Sequence, residues 1–191
     1  MTREQFSLFN EQRTLPVGFA YGPNFLSEDE ERELLSILSD LPFREFEFHC
    51  YTGKRRVISF GWQYDFNHEK LRPAEELPTF LIPTRDRAAT VFGLAALELK
   101  HALLTEYAPG AAIGWHKDKA VFADVVGVSL LSPCTFRFRR RVSAAWERCS
   151  FTAEPRSAYL LSGPSRTDWE HSIPPVDHLR YSITFRSLRR S

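Results

Sequence analysis

His116 and Asp118 stand two residues apart at the end of a run that begins at Tyr107 and Pro109-Gly110. On a β-strand, successive side chains alternate faces, so these two share one. An imidazole nitrogen and a carboxylate oxygen side by side can occupy neighbouring positions on a divalent metal. One further histidine from a distant strand completes a two-His-one-carboxylate facial triad. That ligand set suits non-haem Fe(II) and leaves positions open for dioxygen and a substrate.

The C-terminal segment offers both the third ligand and its counter-groups. His171 follows the Gly163-Pro164 turn and precedes the last strand-like run, and His178 lies two residues before Arg180. From Arg180 to Arg186 the period of two puts Arg180, Ser182, Thr184 and Arg186 on one face, with Tyr181, Ile183 and Phe185 on the other. Two arginines on an otherwise apolar strand are costly if buried unpaired. Either the strand is a solvated edge with its arginines reaching outward, or the guanidinium forks hold anions inside a barrel. A dicarboxylate such as 2-oxoglutarate would satisfy both.

The elements that must position these groups are legible in outline. Ser27 and Glu30 have capping-box spacing ahead of an apolar stripe of Leu34, Leu35, Ile37, Leu38 and Leu41, which Pro42 ends. Residues Phe43 to Phe66 read as an antiparallel hairpin turning at Tyr51-Thr52-Gly53-Lys54. Its second strand interleaves Arg55 and Arg56 with Trp62 and Tyr64. That is either a solvated basic tip or a flap on which arginine meets phosphate and an aromatic stacks on a base. His68 to Pro83 reads as a loop, and Thr84 to His101 as a second helix with Ala88, Val91, Phe92, Ala95 and Leu99 on one face. Short strands follow, among them the strict alternation Thr135-Phe136-Arg137-Phe138-Arg139. The order implies an α+β fold around a β-sandwich or open barrel. Trp115, on the face opposite His116, reads as core. His49, His68 and His101 read as surface or packing residues. The arginines at 137, 139, 140, 141 and 148, with the terminal Arg189 and Arg190, read as a solvated face or a phosphate track.

Composition narrows the class. The chain has 191 residues, 43% hydrophobic and 26% charged, within reach of one domain. Its 16 Phe, 6 Tyr and 4 Trp favour strands over a helical bundle. A net charge of +1 gives no global basic field, so any nucleic-acid affinity must be local. Cys50, Cys134 and Cys149 form neither a disulfide framework nor a zinc ribbon and suit a reducing cytoplasm. The N-terminus lacks the apolar run of a signal peptide, and no stretch is long enough to span a bilayer.

Three motifs in order carry a resemblance. They are Tyr107, Pro109, Gly110, His116, Asp118 and Lys119; then Leu161, Gly163, Pro164, Arg166, Trp169, His171 and Ile173; then Arg180 to Arg186. Together they resemble the AlkB family of Fe(II)- and 2-oxoglutarate-dependent dioxygenases, over roughly residues 100 to 190. Arg56, Val57, Phe60 and Gly61 resemble the family's substrate lid. The resemblance implies a double-stranded β-helix (jelly-roll) core with N-terminal helices and a β-hairpin lid. It implies one domain over 1–191, with an N-terminal extension to 101 and the catalytic core from 102.

The resemblance also implies roles. His116, Asp118 and His171 would be the iron ligands and the catalytic centre, with His171 preferred to His178 for its Trp-x-His-x-Ile setting. Tyr107, Arg180 and Arg186 would hold 2-oxoglutarate, helped by Thr105 and Ser182, which stand where asparagine is common in the family. Arg56, Trp62 and Tyr64 would contact substrate. Ala120 replaces an acidic group that some DNA-repairing members carry. The implied reaction is oxidative demethylation of an alkylated DNA or RNA base, releasing formaldehyde, succinate and CO2, by a monomer. The rival readings are the same oxygenase chemistry on a protein side chain or small molecule, and a catalytically inactive nucleic-acid-binding module.

Overall fold

Two facing antiparallel sheets form the centre of the computed structural model, which describes residues 15–48, 51–65 and 70–189. The strands are β1 (Phe19–Gly22), β2 (Arg44–Phe48), β3 (Tyr51–Phe60), β4 (Trp62–Asp65), β5 (Lys70–Pro73), β6 (His101–Tyr107), β7 (Ile113–His116), β8 (Phe122–Leu130), β9 (Cys134–Val142), β10 (Ala145–Ala153), β11 (Ser157–Leu161), β12 (Glu170–Ile173) and β13 (Arg180–Leu188). The helices are α1 (Glu28–Asp40), α2 (Ile82–Phe92) and the single turn α3 (Pro164–Thr167). The larger sheet runs β1-β11-β8-β13-β6-β3-β2, the smaller β10-β9-β12-β7, and β4-β5 is a separate ribbon. This is a jelly-roll, in which the sheets face one another across a shared interior.

Two apolar clusters lie on either side of the large sheet. One packs α1 and α2 against its outer face, through Leu34, Leu38, Leu81 and Ala88 meeting Leu104, Val126, Ile183 and Phe185. The other fills the space between sheets with Tyr107, Phe136, Phe138, Tyr159, Trp169 and Ile173. Tyr159 faces Gly127 across β11 and β8. A Cβ on Gly127 would sit 2.2 Å from its ring, so glycine is what lets the phenol lie across the strand.

Ser27 caps α1 as its spacing implies: Glu30 N–H donates to Ser27 Oγ, and Ser27 N–H donates to Glu30 Oε2. Such a cap contributes about 1 kcal/mol.

Several elements depart from expectation. The second helix ends at Phe92, closed by Gly93 in the left-handed region at φ 66°. Residues 94–100 are not α-helical, and Val91 is 53% exposed. Tyr51–Lys54 belong to β3, with Phe48 opposite Tyr51, so the turn expected at these four residues is strand instead. Gly61, at φ 75°, then breaks β3 from β4. A Cβ there would lie 1.9 Å from the Lys100 carbonyl oxygen, so only glycine fits at the break. Part of the expected 68–83 loop is strand β5. The N-terminal half supplies β1, β2 and β3 to the large sheet, so hydrogen bonding crosses residue 101 without a seam. No helix among the described residues is long and apolar enough to cross a membrane.

Candidate active site

β7 and β12 pair so that His116 and His171 are direct cross-strand partners. Their ring centroids are 4.3 Å apart. Asp118 follows just beyond β7, and its Oδ2 lies 3.7 Å from His171 Nε2. His116 Nδ1 is 2.9 Å from the Gly114 carbonyl oxygen. An N–H donated there leaves Nε2 as the lone-pair nitrogen, the usual second contact of a metal-binding histidine. His171 is buried and stacks on Phe136, with centroids 5.3 Å apart and planes 16° apart, and its Nδ1 has no hydrogen-bond partner among the described residues.

Electrostatics set both groups in ligand form. Burial pushes the Asp118 carboxyl up, but Arg186, His171, His116 and Arg166 together outweigh it and hold it at about 2. Burial, with His116 beside it, pushes His171 down to about 3 against the pull of Asp118. A carboxylate anion and a neutral imidazole are what a divalent cation requires. Among the described residues, no group of three or more His, Cys, Asp or Glu side chains is drawn together closely enough to hold a metal ion.

β13 supplies the anion side. Arg180, fully buried, sits opposite Tyr107 of β6, with its guanidinium carbon 4.8 Å from the phenol centroid. It donates through Nη2 to Ser129 Oγ at 3.2 Å, while Nε and Nη1 have no hydrogen-bond partner among the described residues. Thr105 and Ser182, both buried, face one another in the next register pair but one. Arg186 donates through Nη2 to Asp118 Oδ1 at 3.2 Å and lies 3.4 Å from His101 Nδ1, its own register partner. Burial and then Arg186 push the His101 imidazole well down, so it is neutral and able to accept from that guanidinium.

The loop carrying Asp118 is braced on both sides. Lys117 Nζ donates to the Thr167 carbonyl at 2.7 Å, and Arg166 Nη2 donates to that of Lys119. Both ties run to α3, which the Gly163-Pro164 turn starts.

The chain matches the 2OG-Fe(II) oxygenase superfamily model over residues 18–186. It belongs to that superfamily. It is 29% identical over 210 aligned residues to an Arabidopsis thaliana protein named "Alkylated DNA repair protein ALKBH8 homolog", covering 96% of this chain and 59% of that one. It is 28% identical over 148 residues to the Danio rerio "Probable RNA/DNA demethylase ALKBH6", covering 77% and 60%. The chain thus spans about three-fifths of the length of these two relatives. Among solved structures, OsALKBH1 superposes with a TM-score of 0.69 at 15% identity, over 92% of this chain and 99% of that one. A Pseudomonas putida prolyl-4-hydroxylase gives 0.63 at 13%, over 91% and 94%. These structural neighbours show the fold, and the named relatives support the AlkB resemblance. The protein is an oxidoreductase of the 2OG-Fe(II) oxygenase class.

His116, Asp118, His171 and Arg186 lie side by side, while Arg180 faces the same interior against Tyr107. His178 does not join them: it is exposed on the 174–179 loop before β13. The expected lid arginine is also displaced. Arg56 faces the outer side of the large sheet, where Nε and Nη2 donate to both oxygens of Glu106 at 2.7 and 2.8 Å. Tyr181 Oη donates to the same carboxylate at 3.0 Å. By parity it is Arg55, paired in register with Tyr107, that faces the interior. Burial lowers its affinity for a proton, opposed by Tyr107 and reinforced by Arg186. Trp62 starts the β4–β5 ribbon and is half-buried. The Tyr64 side chain lies outside the described residues. Trp115 is not core: it lies half-exposed under Arg137 and Arg139. His101, Phe136, Ser129 and Arg166 were not singled out by sequence. Only Arg166 had a signal, its place in the motif leading to His171.

Proposed function

We propose that this oxygenase removes an alkyl group from a nucleic-acid base, using Fe(II) and 2-oxoglutarate. The observation that carries the co-substrate half is Arg180. A fully buried guanidinium with two nitrogens lacking partners costs several kcal/mol unless an anion completes it. The interior also holds Tyr107, Thr105 and Ser182 as hydroxyl donors within the same strands. A dicarboxylate fits that set.

His116, Asp118 and His171 would hold the iron, as an anionic oxygen and two neutral imidazoles on adjoining strands. When bound, iron with 2-oxoglutarate and dioxygen supplies the oxidising power to hydroxylate an N-alkyl carbon. One dioxygen and one 2-oxoglutarate give succinate, CO2 and an N-hydroxymethyl group, which collapses to formaldehyde and the free base N–H. The chain's own work is placement. Arg180 and Tyr107 anchor one carboxylate. Arg186 holds Asp118 ionised and turned, while His101 fixes Arg186. Phe136, Phe138, Tyr159 and Trp169 keep the interior dry.

The nucleic-acid half rests on the named relatives and on Arg55, a half-buried cation in register with Tyr107. The test is a panel of methylated DNA and RNA oligonucleotides scored by mass in air and without oxygen. The expected result is oxygen-dependent loss of a methyl group with stoichiometric succinate. Succinate formation that no oligonucleotide stimulates, but that a peptide or small molecule does, overturns it.

A further inference from the structure

The outer face of the small sheet carries a second feature, on the reverse of the strands that hold the histidines. Parity puts Arg137, Arg139 and Arg141 of β9 and Arg148 of β10 outward, since Phe136, Phe138 and Cys149 point into the core. Trp115 of β7 and Trp146 of β10 join them. The Arg139 guanidinium lies between the two indoles, 4.5 Å from one centroid and 4.4 Å from the other. Arg137 sits 5.0 Å from Trp115, and Arg141 and Arg148 sit 5.8 and 5.9 Å from Trp146. The carboxylate among them on these strands is Glu170, bound to Arg139 Nε at 2.5 Å. Four arginines thus meet one outward carboxylate, in a chain whose net charge is only +1.

Such a face is expensive if it serves folding alone, because like charges on neighbouring strands repel. Interleaved cations and half-exposed indoles match the two features of a single-stranded polynucleotide, a repeating phosphate and a stackable base. An acidic peptide would use the charges and leave the indoles without a partner. The row also leads to the site: β7 is an edge strand, with Trp115 on the outer side and His116 on the inner. We propose that this face is a docking track for single-stranded nucleic acid, holding the segment that flanks the base presented to the interior. The inference rests on the nucleic-acid reading of the substrate.

The test separates binding from turnover. Arg141 and Arg148 are exposed and outside the catalytic interior, so Arg141→Gln with Arg148→Gln leaves folding and basal 2-oxoglutarate turnover intact. Anisotropy of a labelled oligothymidylate of about twelve nucleotides is followed against salt for wild type, this double variant and Trp146→Ala. The double variant is expected to bind about tenfold more weakly, with a salt slope smaller by about 1.4, that is about 0.7 for each lost phosphate contact. Trp146→Ala is expected to weaken binding with the slope preserved. Equal affinity and slope in wild type and double variant overturn the proposal, as does displacement of the strand by polyglutamate at matched charge. A wild type that binds the strand yet demethylates nothing leaves the track standing and defeats the catalytic reading. Variants that demethylate and bind like wild type do the reverse.

Discussion

Arg186 reaches from β13 to donate through Nη2 to Asp118 Oδ1 at 3.2 Å, joining the strand that supplies the cations to the carboxylate beside the histidines. In the proposed assignment one guanidinium would serve two tasks, setting the charge of a metal ligand and facing the co-substrate. Charge-assisted hydrogen bonds of this kind contribute about 1.5–3 kcal/mol. Arg186→Gln is expected to raise the KM for 2-oxoglutarate about tenfold or more and to weaken metal binding at the same time. Succinate formation and metal titration read the two effects. An unchanged KM contradicts the assignment.

Arg180 makes a sharper case because it is fully buried. Arg180→Met keeps most of the volume and removes the charge. Replacing a buried cation that lacks partners by an apolar group is often neutral or stabilising. The variant is expected to melt at or above the wild-type temperature while its 2-oxoglutarate affinity falls by about two orders of magnitude. A lowered melting temperature with unchanged affinity would make Arg180 a structural residue.

Arg56→Ala should act on stability and leave substrate handling alone. Its loss strips two hydrogen bonds from Glu106, whose carboxyl is held below its usual range first by Arg56 and which would keep only Tyr181. A cost of about 1–3 kcal/mol is expected, read by chemical denaturation. Arg55→Ala should instead reduce turnover of the nucleic-acid substrate while leaving uncoupled 2-oxoglutarate decarboxylation largely intact. The reverse pattern would restore Arg56 to the site.

The buried histidines give the metal-free protein a pH dependence. His171 titrates at about 3 when folded against an ordinary 6.5, so the unfolded chain takes up its proton first as pH falls. Stability from this group is complete above about pH 6.5 and is lost as pH drops toward 3, at up to about 1.4 kcal/mol per pH unit. His101, shifted the same way, adds to it. Asp118 contributes only lower, between 3.8 and about 2. Melting temperatures are expected to fall from pH 6.5 to 4.5, less steeply in His171→Gln. A flat profile in wild type contradicts the neutral, buried imidazole.

What could be read from sequence was what period two controls. The face shared by Arg180, Ser182, Thr184 and Arg186, and that shared by His116 with the interior, follow from alternation alone, because one-sided burial fixes strand register. Alternation failed where its phase was ambiguous. Lys54, Arg55 and Arg56 are consecutive cations, so nothing in the sequence says which of them turns inward, and Arg56 faces outward onto Glu106. The second helix was overextended because Leu94 to Leu99 is apolar enough to mimic a stripe, although Gly93 already marked its C-cap. Trp115 reads as core from sequence because a large indole beside apolar residues favours burial, whereas the arginines that cover it come from β9, which local pattern does not reveal. His101 meets Arg186 only through strand register, a contact between residues 85 apart that local pattern does not show.

The central claim is that His116, Asp118 and His171 bind one metal ion together. Calorimetric titration of Mn(II), an oxygen-inert stand-in for Fe(II), into wild type and into His116→Ala, Asp118→Ala and His171→Ala tests it directly. The account predicts one ion per wild-type chain, tighter when 2-oxoglutarate is present, and at least about a tenfold loss of affinity in each variant. Wild-type affinity in the His171→Ala protein would contradict it.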